Sequence, residues 1–277
     1  MKIRDIPFSL RRSLANRGLI RSVVIAPRKV VSRLLRGSAQ EKQAVLLHPF
    51  DAEFGTDTGG MIYAEELRDG RGRRSVYNTA YYAAPPSLFL QALARLEIDF
   101  AEFTFIDLGA GTGRVILLAS NFPFRQVIGI EFARDLATVA TRNISDYHPS
   151  ARVCEDMRCM LGDASDFVFP PGPLVIFMWN PFIGLVFERV LSNLEDSLRR
   201  EPREVYLLYL NPDCGQRLDA SSELHKIWEC RLEMTEQDFA FYHLGGRSET
   251  CAAYRSSVPA EDGAGNDSRG RPIGGLA

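Results

Sequence analysis

Residues 103–114 read FTFIDLGAGTGR. The first half of this stretch is apolar and ends in Asp107, after which glycines follow at alternate positions, Gly109, Gly111 and Gly113. The residues that follow are apolar and continue as a helix. A strand, a glycine turn and a helix start in this order indicate a nucleotide-cofactor loop on a doubly wound sheet, where ligands bind beyond the carboxyl ends of the strands.

The spacing of the glycines distinguishes between nucleotide cofactors. A dinucleotide fingerprint counted from Gly109 needs its third glycine at the position of Arg114, which disfavours an NAD-dependent oxidoreductase. The spacing G-x-G-x-G with Asp107 two residues ahead resembles motif I of the class I S-adenosylmethionine (SAM)-dependent methyltransferases. A helix N-terminus suits the methionine carboxylate of SAM, because free N–H groups and the helix dipole attract an anion. A tight glycine turn without a ligand is the alternative.

Two further acids follow predicted strands. Residues 126–131 read QVIGIE and predict a buried strand that ends in Glu131, close to the offset of about 20 residues typical of a ribose-binding acid. Its carboxylate could accept both ribose hydroxyls or cap the next helix, and the two roles are compatible. Residues 161–164 read LGDA. In the methyltransferase family an acid such as Asp163 often lies beside the adenine amino group, although a Gly-Asp pair by itself is usually a turn.

The stretch at residues 174–182, LVIFMWNPF, is an apolar strand followed by Asn180, Pro181 and Phe182. It resembles motif IV of the amino-methyltransferases, Asp or Asn, Pro, Pro, then Tyr or Phe, but it has one proline instead of two. An amide oxygen can accept a hydrogen bond from the incoming nitrogen, and an aromatic face can hold a planar base or a cationic amine. The alternative is an ordinary turn at the end of a strand, since Asn-Pro favours turns.

The resemblance covers roughly residues 77 to 256 and implies SN2 transfer of the SAM methyl group, with S-adenosyl-L-homocysteine (SAH) as the product. Residues 107–143 resemble an uncharacterised group of bacterial SAM-dependent methyltransferases and, distantly, lysine methyltransferases. The resemblance implies that the methionine half of SAM is held by Asp107, Gly109, Ala110, Gly111 and Gly113. It implies that Glu131 binds the ribose, that Asp163 and Ala164 contact the adenine, and that Tyr82, ahead of the glycine loop, makes a further cofactor contact. The acceptor would be positioned by Asn180, Pro181 and Phe182.

Strands and helices alternate from residue 103 onward, which indicates a parallel sheet with helices on both faces. Short strands crowd the C-terminal part, which fits the strand hairpin at the end of the methyltransferase fold. The predicted fold class is α/β: a doubly wound, Rossmann-like, seven-stranded sheet, mostly parallel with an antiparallel last strand and helices on both faces. The main predicted elements are Ser87–Glu97, Phe103–Leu108, Arg114–Asn121, Gln126–Glu131, Ala133–Asn143, Arg158–Leu161, Leu174–Asn180, Ile183–Arg199, Val205–Leu210 and Thr250–Tyr254.

Composition limits the classes of function. A net charge of −2 over 277 residues gives no general sign of a polyanion partner. Five cysteines without a CxxC pair argue against a zinc site or a disulfide framework. We therefore expect no metal site, and we expect a reducing, cytoplasmic location. No apolar run approaches the roughly 20 residues that span a bilayer.

The chain divides into four predicted parts. Residues 1–47 form a basic N-terminal helical arm, which could be an organellar transit peptide, contact RNA or anionic lipid, or pack on the domain. Residues 48–76 form a connector that could close as a lid over the cofactor. Residues 77–256 form the SAM-dependent methyltransferase domain. Residues 257–277, rich in Gly, Pro, Asp and Ser, form a disordered tail.

The leading hypothesis about function is an enzyme that transfers methyl from SAM to an amine nitrogen of a protein or a small molecule. A nucleic-acid methyltransferase is the second, and it requires a basic face that only the N-terminal arm offers. A non-catalytic SAM-binding scaffold is the third. The sequence names no general base, acceptor or oligomeric state.

Overall fold

The computed structural model describes residues 48–73, 75–242 and 246–257. The predicted basic arm (residues 1–47) lies outside the described residues, as does the predicted tail apart from residue 257. The strands are β1 (Met61–Ile62), β2 (Tyr81–Tyr82), β3 (Thr104–Leu108), β4 (Gln126–Glu131), β5 (Met157–Leu161), β6 (Leu174–Trp179), β7 (Val205–Leu210), β8 (Leu224–Glu233) and β9 (Ser248–Ser256).

Seven of these strands form one sheet in the order β5-β4-β3-β6-β7-β9-β8. Strands β3 to β7 pair in parallel, whereas β9 is antiparallel to both β7 and β8. The helices are α1 (Pro49–Phe54), α2 (Pro86–Leu93), α3 (Arg114–Ala119), α4 (Arg134–Asp146), α5 (Leu185–Arg200), α6 (Gly215–Asp219) and α7 (Glu236–Phe241). The predicted α/β fold class, mostly parallel with an antiparallel last strand, is confirmed.

Each face of the sheet carries its own core, because successive residues of a strand point to opposite faces. On one face Phe89 of α2 packs edge-on against Phe105 and Phe177, with ring centroids 5.7 and 5.3 Å away. On the other face Ile106 joins Phe187 of α5 in the second apolar cluster. The central strands β3, β6 and β7 are apolar almost throughout, as expected for parallel strands that are covered on both faces.

The helix predicted over Ser87–Glu97 spans Pro86–Leu93 in the structure. Ser87 does not cap this helix through its own first turn. Its N–H donates to an Asp238 carboxylate oxygen at 2.8 Å and its hydroxyl bonds the same oxygen. Ser87 therefore fastens the start of α2 to α7, at the far end of the chain.

The described part of the predicted connector contacts the start of α3 and the helix α4. Its first part, residues 49–62, is named the strap here and contains α1 and β1. Strand β1 pairs antiparallel with β2, and Asn78 forms an isolated antiparallel bridge with Phe182. Within the described ranges, no helix is long and apolar enough to cross a membrane.

Candidate cofactor site

A cleft opens at the carboxyl ends of β3, β4 and β6. The glycine loop, the turn after β5 and residues 78–84 complete its walls. The predicted site residues that line it are Tyr82, Asp107, Gly109, Ala110, Glu131, Asp163, Ala164, Pro181 and Phe182. Gly111, Gly113 and Asn180 are not part of the lining. The fold therefore brings the first part of motif I, both predicted acids and the end of motif IV to one cavity.

The glycine loop is packed tightly against its neighbours. Gly109 and Gly111 have φ of 83° and 57°, in the left-handed region that favours glycine. A Cβ on Gly109 would lie 2.3 Å from Cβ of Pro181, and a Cβ on Gly111 would lie 2.2 Å from Cε2 of Tyr81. The Tyr81 ring covers the open side of Gly111, so Gly111 shapes the loop beneath Tyr81 instead of facing the cleft.

Gly113 begins α3 and brings it close to α4. It is the N-cap of α3 with φ of 91°. A Cβ there would lie 3.2 Å from Cβ of Ala140. Gly113 thus contributes to helix packing behind the cleft, and not to the cleft surface.

Substitution of Gly111 by alanine should destabilise the fold through Tyr81. The left-handed conformation costs a residue with a Cβ about 1–2 kcal/mol, and the contact with the ring adds to that cost. In a Tyr81→Ala background the contact cost should vanish while the conformational cost stays. Urea unfolding of the four proteins measures both parts. An equal loss of stability in the two backgrounds would contradict the contact.

The carboxylate of Glu131 holds the glycine loop to the start of α4. One oxygen accepts from the Gly111 N–H at 2.7 Å and the other from the Ala133 N–H at 2.6 Å. Burial raises the pKa of Glu131 to about 7, against the opposing effect of these N–H donors. Each oxygen keeps a lone pair for a second donor, so this loop-holding role is compatible with contacts to ribose hydroxyls.

One carboxylate oxygen of Asp107, Oδ2, is buried and accepts no hydrogen bond from the described residues. Burial, and then the charge of Glu131, raises the pKa of Asp107 well above its usual range. A buried carboxylate oxygen without a donor is costly, and native structures rarely leave one unless a ligand or water supplies the donor.

Asp163 lies at the end of the cleft nearest β5. Its carboxylate accepts from the Ser165 N–H at 2.9 Å and caps a short 3-10 helix, Ala164–Asp166. This capping role is an ordinary turn contact of the kind that a Gly-Asp pair suggests. The placement in the cleft lining leaves the predicted adenine contact geometrically open.

Asn180 makes the sharp turn that ends β6. It adopts φ of 44°, which is uncommon for a residue other than glycine. Its amide oxygen accepts from the Tyr209 hydroxyl at 3.1 Å, and its amide nitrogen donates to Asp213 at 2.8 Å. The side chain thus fixes the turn, and Pro181 and Phe182, which follow it, line the cleft.

Arg114 is the site residue whose role the sequence reasoning missed. Its side chain is 2% exposed and forms an ion pair with Asp51 of the strap at 3.0 Å. Its Nε donates to the Thr58 hydroxyl at 2.6 Å, and its third nitrogen donates to the Tyr242 hydroxyl. The indication in the sequence was that Arg114 is a charged residue at the start of an otherwise apolar helix, which is unusual unless the charge has a partner. This one residue ties the glycine loop to the strap and to the segment after α7.

The strap is fixed to the glycine loop by a continuous chain of hydrogen bonds. The second oxygen of Asp51 accepts from the hydroxyls of Thr56 and Thr58, at 2.7 and 2.6 Å. The Tyr81 hydroxyl donates to the carbonyl oxygen of Thr58 at 2.9 Å and lies 2.5 Å from the Thr112 hydroxyl. Part of the predicted connector therefore forms a packed wall above motif I.

Solved structures give remote likenesses to this chain. A putative RNA methyltransferase from Pyrococcus horikoshii is 19% identical over 62% of this chain and 81% of that chain, with a TM-score of 0.42. An RNA methyltransferase from Salinibacter ruber, solved with SAH, is 16% identical over 64% and 94%, with a TM-score of 0.39. A ribosomal protein L11 methylase from Lactobacillus delbrueckii subsp. bulgaricus is 14% identical over 61% and 78%, with a TM-score of 0.37.

No protein-family model and no curated protein matches the chain. The assignment of the fold rests on the strand order and on the antiparallel β9 between β7 and β8. The chain has the class I methyltransferase fold. Identity of fold does not by itself give an activity, which has to be argued from the site.

Proposed function

We propose that the protein is a class I SAM-dependent methyltransferase. The observation that carries this proposal is the unpartnered Oδ2 of Asp107, which is buried in the wall of a cleft that also holds Glu131 and the glycine loop. SAM presents an ammonium group, two ribose hydroxyls and an adenine in line, and it has no phosphate that would need further cations. The residues of the cleft fit that ligand.

The roles of the individual residues follow from their positions. Asp107 accepts from the ammonium group of the methionine half, which removes the cost of its unpaired oxygen. Glu131 accepts from the ribose hydroxyls with the lone pairs that the backbone N–H groups leave. Asp163 and Ala164 lie at the adenine end, and Tyr82 also lines the cleft.

The acceptor half of the cleft is aromatic. Trp179, Phe182 and Val186 form its wall beside the motif IV turn. Aromatic faces attract an amine or hold a flat ring, and the described lining on this side contains no carboxylate. Such a wall suits either kind of acceptor, and the acceptor that we propose is an amine nitrogen of a protein side chain or a small molecule.

SAM supplies an activated methyl group on its sulfonium, so the protein has little covalent chemistry to perform. Its residues hold the donor and the acceptor nitrogen in line and exclude water from the reaction. Alignment of this kind can be worth on the order of 7–11 kcal/mol of the barrier. An ammonium acceptor must first lose its proton, and burial in the apolar half of the cleft lowers the pKa of an amine and favours that loss.

Binding of SAM should weaken as the pH falls below 7. The ionised form of Glu131, whose pKa is about 7 in the free protein, is the form that accepts ribose hydroxyls. Below pH 7 the dissociation constant should rise by up to about tenfold per pH unit, because Glu131 must lose one proton before it can accept from the ribose hydroxyls. Calorimetric titrations between pH 5.5 and 8.5 measure this dependence, and a flat profile would contradict it.

Protonation of Glu131 should not unfold the protein over the pH range in which it weakens SAM binding. A carboxyl group whose pKa is raised on folding binds more protons in the folded state than in the unfolded state. The contribution of Glu131 to stability therefore grows as the pH falls from about 7 towards its ordinary value of 4.5. As the pH falls from about 7 to 4.5, protonation of Glu131 should therefore raise the free energy of unfolding and lower the affinity for SAM.

The activity is tested by transfer of radiolabelled methyl from SAM into a host-cell extract, followed by protease or nuclease digestion. Label that protease releases supports a protein acceptor, and label in small molecules supports a small-molecule acceptor. Label that only nuclease releases would show a methyltransferase with a nucleic-acid acceptor. SAM binding without any transfer would favour the non-catalytic scaffold.

A further inference from the structure

The Asn180 amide is already committed to two partners. Tyr209 donates to its oxygen and Asp213 accepts from its nitrogen, at 3.1 and 2.8 Å. Its side chain is not part of the cleft lining. A different amide is better placed for the acceptor nitrogen.

Asn78 lies directly opposite Phe182 across the antiparallel bridge. The bridge is made by the Thr79 N–H to the Pro181 carbonyl at 3.0 Å and by the Ile183 N–H to the Tyr77 carbonyl at 2.9 Å. In this pattern the facing residues form the pair without mutual hydrogen bonds, whose Cα atoms are about 4.5 Å apart and whose side chains are closest.

The side chain of Asn78 opens to the cleft. Asn78 is 8% exposed, and no hydrogen bond joins its side chain to a residue that the structure describes. Its amide atoms are not among the buried polar atoms that lack a partner in the described residues, so they reach the accessible space of the cleft that Asn78 lines. Both Asn78 and Phe182 line the cleft, so the free amide and the aromatic ring border the same space.

We propose that Asn78 is the residue that orients the methyl acceptor: its amide oxygen accepts a hydrogen bond from an N–H of the acceptor nitrogen, whose attached carbon group lies against Phe182. This inference rests on the proposed function and names a specificity residue for it. Asn180 then supports the turn that presents Phe182 and does not contact the substrate.

The step needs no group beyond SAM and the amine. The lone pair of a neutral amine attacks the methyl carbon, the C–N bond forms as the C–S bond breaks, and sulfur keeps the bonding electron pair as the thioether of SAH. The methylated nitrogen is then cationic and loses its proton to water. Asn78 only aims the lone pair, because an amide oxygen does not take up a proton at neutral pH.

Sinefungin tests this role without knowledge of the acceptor. It is a SAM analogue that carries an ammonium group where SAM has the sulfonium methyl, so its N–H groups point from the methyl position towards the acceptor side of the cleft. Calorimetry with the full chain gives dissociation constants for sinefungin and for SAH. The wild-type protein should bind sinefungin the more tightly of the two.

In Asn78→Leu, which removes the amide at similar size, sinefungin binding should weaken by about tenfold or more while SAH binding changes less than about twofold. Thr79→Val removes the hydroxyl that donates to the Asn180 carbonyl oxygen and leaves the Asn78 amide in place. In Thr79→Val and in Asn180→Ala, the ratio of the sinefungin dissociation constant to the SAH dissociation constant should stay unchanged.

Three results would overturn the inference. An equal loss for both ligands in Asn78→Leu would show a merely structural role. Unchanged binding of both ligands in Asn78→Leu would remove Asn78 from the acceptor site, and a selective loss of sinefungin affinity in Asn180→Ala alone would give the role to Asn180. Failure of the folded wild-type protein to bind SAH is a separate result, which would refute the proposed function and this inference with it.

Discussion

Replacement of Arg114 by methionine should lower the free energy of unfolding by about 3–5 kcal/mol, the usual cost of removing one partner of a buried ion pair. The side chains of Arg114 and Asp51 are 2% and 1% exposed. The substitution leaves the Asp51 carboxylate charged and buried without its cation. It also removes the donors to Thr58 of the strap and to Tyr242, so the attachment of the strap to the glycine loop through Tyr81 remains without the one through Arg114.

Urea denaturation of Arg114→Met, Asp51→Asn and the double variant measures this effect and the coupling between the two residues. The double variant should lose less than the sum of the single losses, because the partner left unpaired is gone. Arg142→Met is the matched control. Arg142 pairs with Asp57 of the same strap at 2.9 Å, but the two side chains are 56% and 70% exposed, so its loss should cost no more than about 1 kcal/mol. Equal costs for Arg114→Met and Arg142→Met would contradict the buried anchor.

Replacement of Glu131 by alanine should weaken SAH binding by about 100-fold or more. Two hydrogen bonds from ribose hydroxyls to a carboxylate are lost, and each is worth about 1.5–3 kcal/mol when one partner is charged. The loop contacts with Gly111 and Ala133 are lost as well, so a ligand control is needed to separate the two effects.

The control ligand is an SAH analogue without the two ribose hydroxyls. Wild-type protein should bind it weakly, and Glu131→Ala should bind it about as well as wild type does. Calorimetry or competition against a fluorescent adenosine ligand gives both constants. If the substitution weakens both ligands by the same factor, Glu131 acts on the loop alone and the ribose contact is refuted.

The sheet could be predicted because local patterns dictate it. Apolar runs such as 103–108 and 205–210 are buried on both faces, and the alternation of strands with helices leaves few alternatives to a doubly wound sheet. The acids at strand ends follow from the same logic, since the carboxyl ends of parallel strands meet at one edge. For that reason Asp107, Glu131 and Asp163 line the same cleft.

The contacts that span the chain could not be predicted in this way. Arg114 served only to exclude a dinucleotide, because nothing local indicates that Asp51, which is 63 positions away, supplies its counter-charge. The direction of the Asn180 amide depends on its left-handed backbone and on the distant Tyr209 hydroxyl. The free amide of Asn78 is visible only once the bridge to Phe182 is formed.

Direct titration of SAH and of NAD into the full-length wild-type protein tests the central claim. We expect SAH to bind with one site per chain, with NAD binding far more weakly, and the Glu131→Ala variant to lose SAH affinity. Absence of SAH binding to the folded protein, or tighter binding of NAD than of SAH, would contradict a SAM site in this cleft.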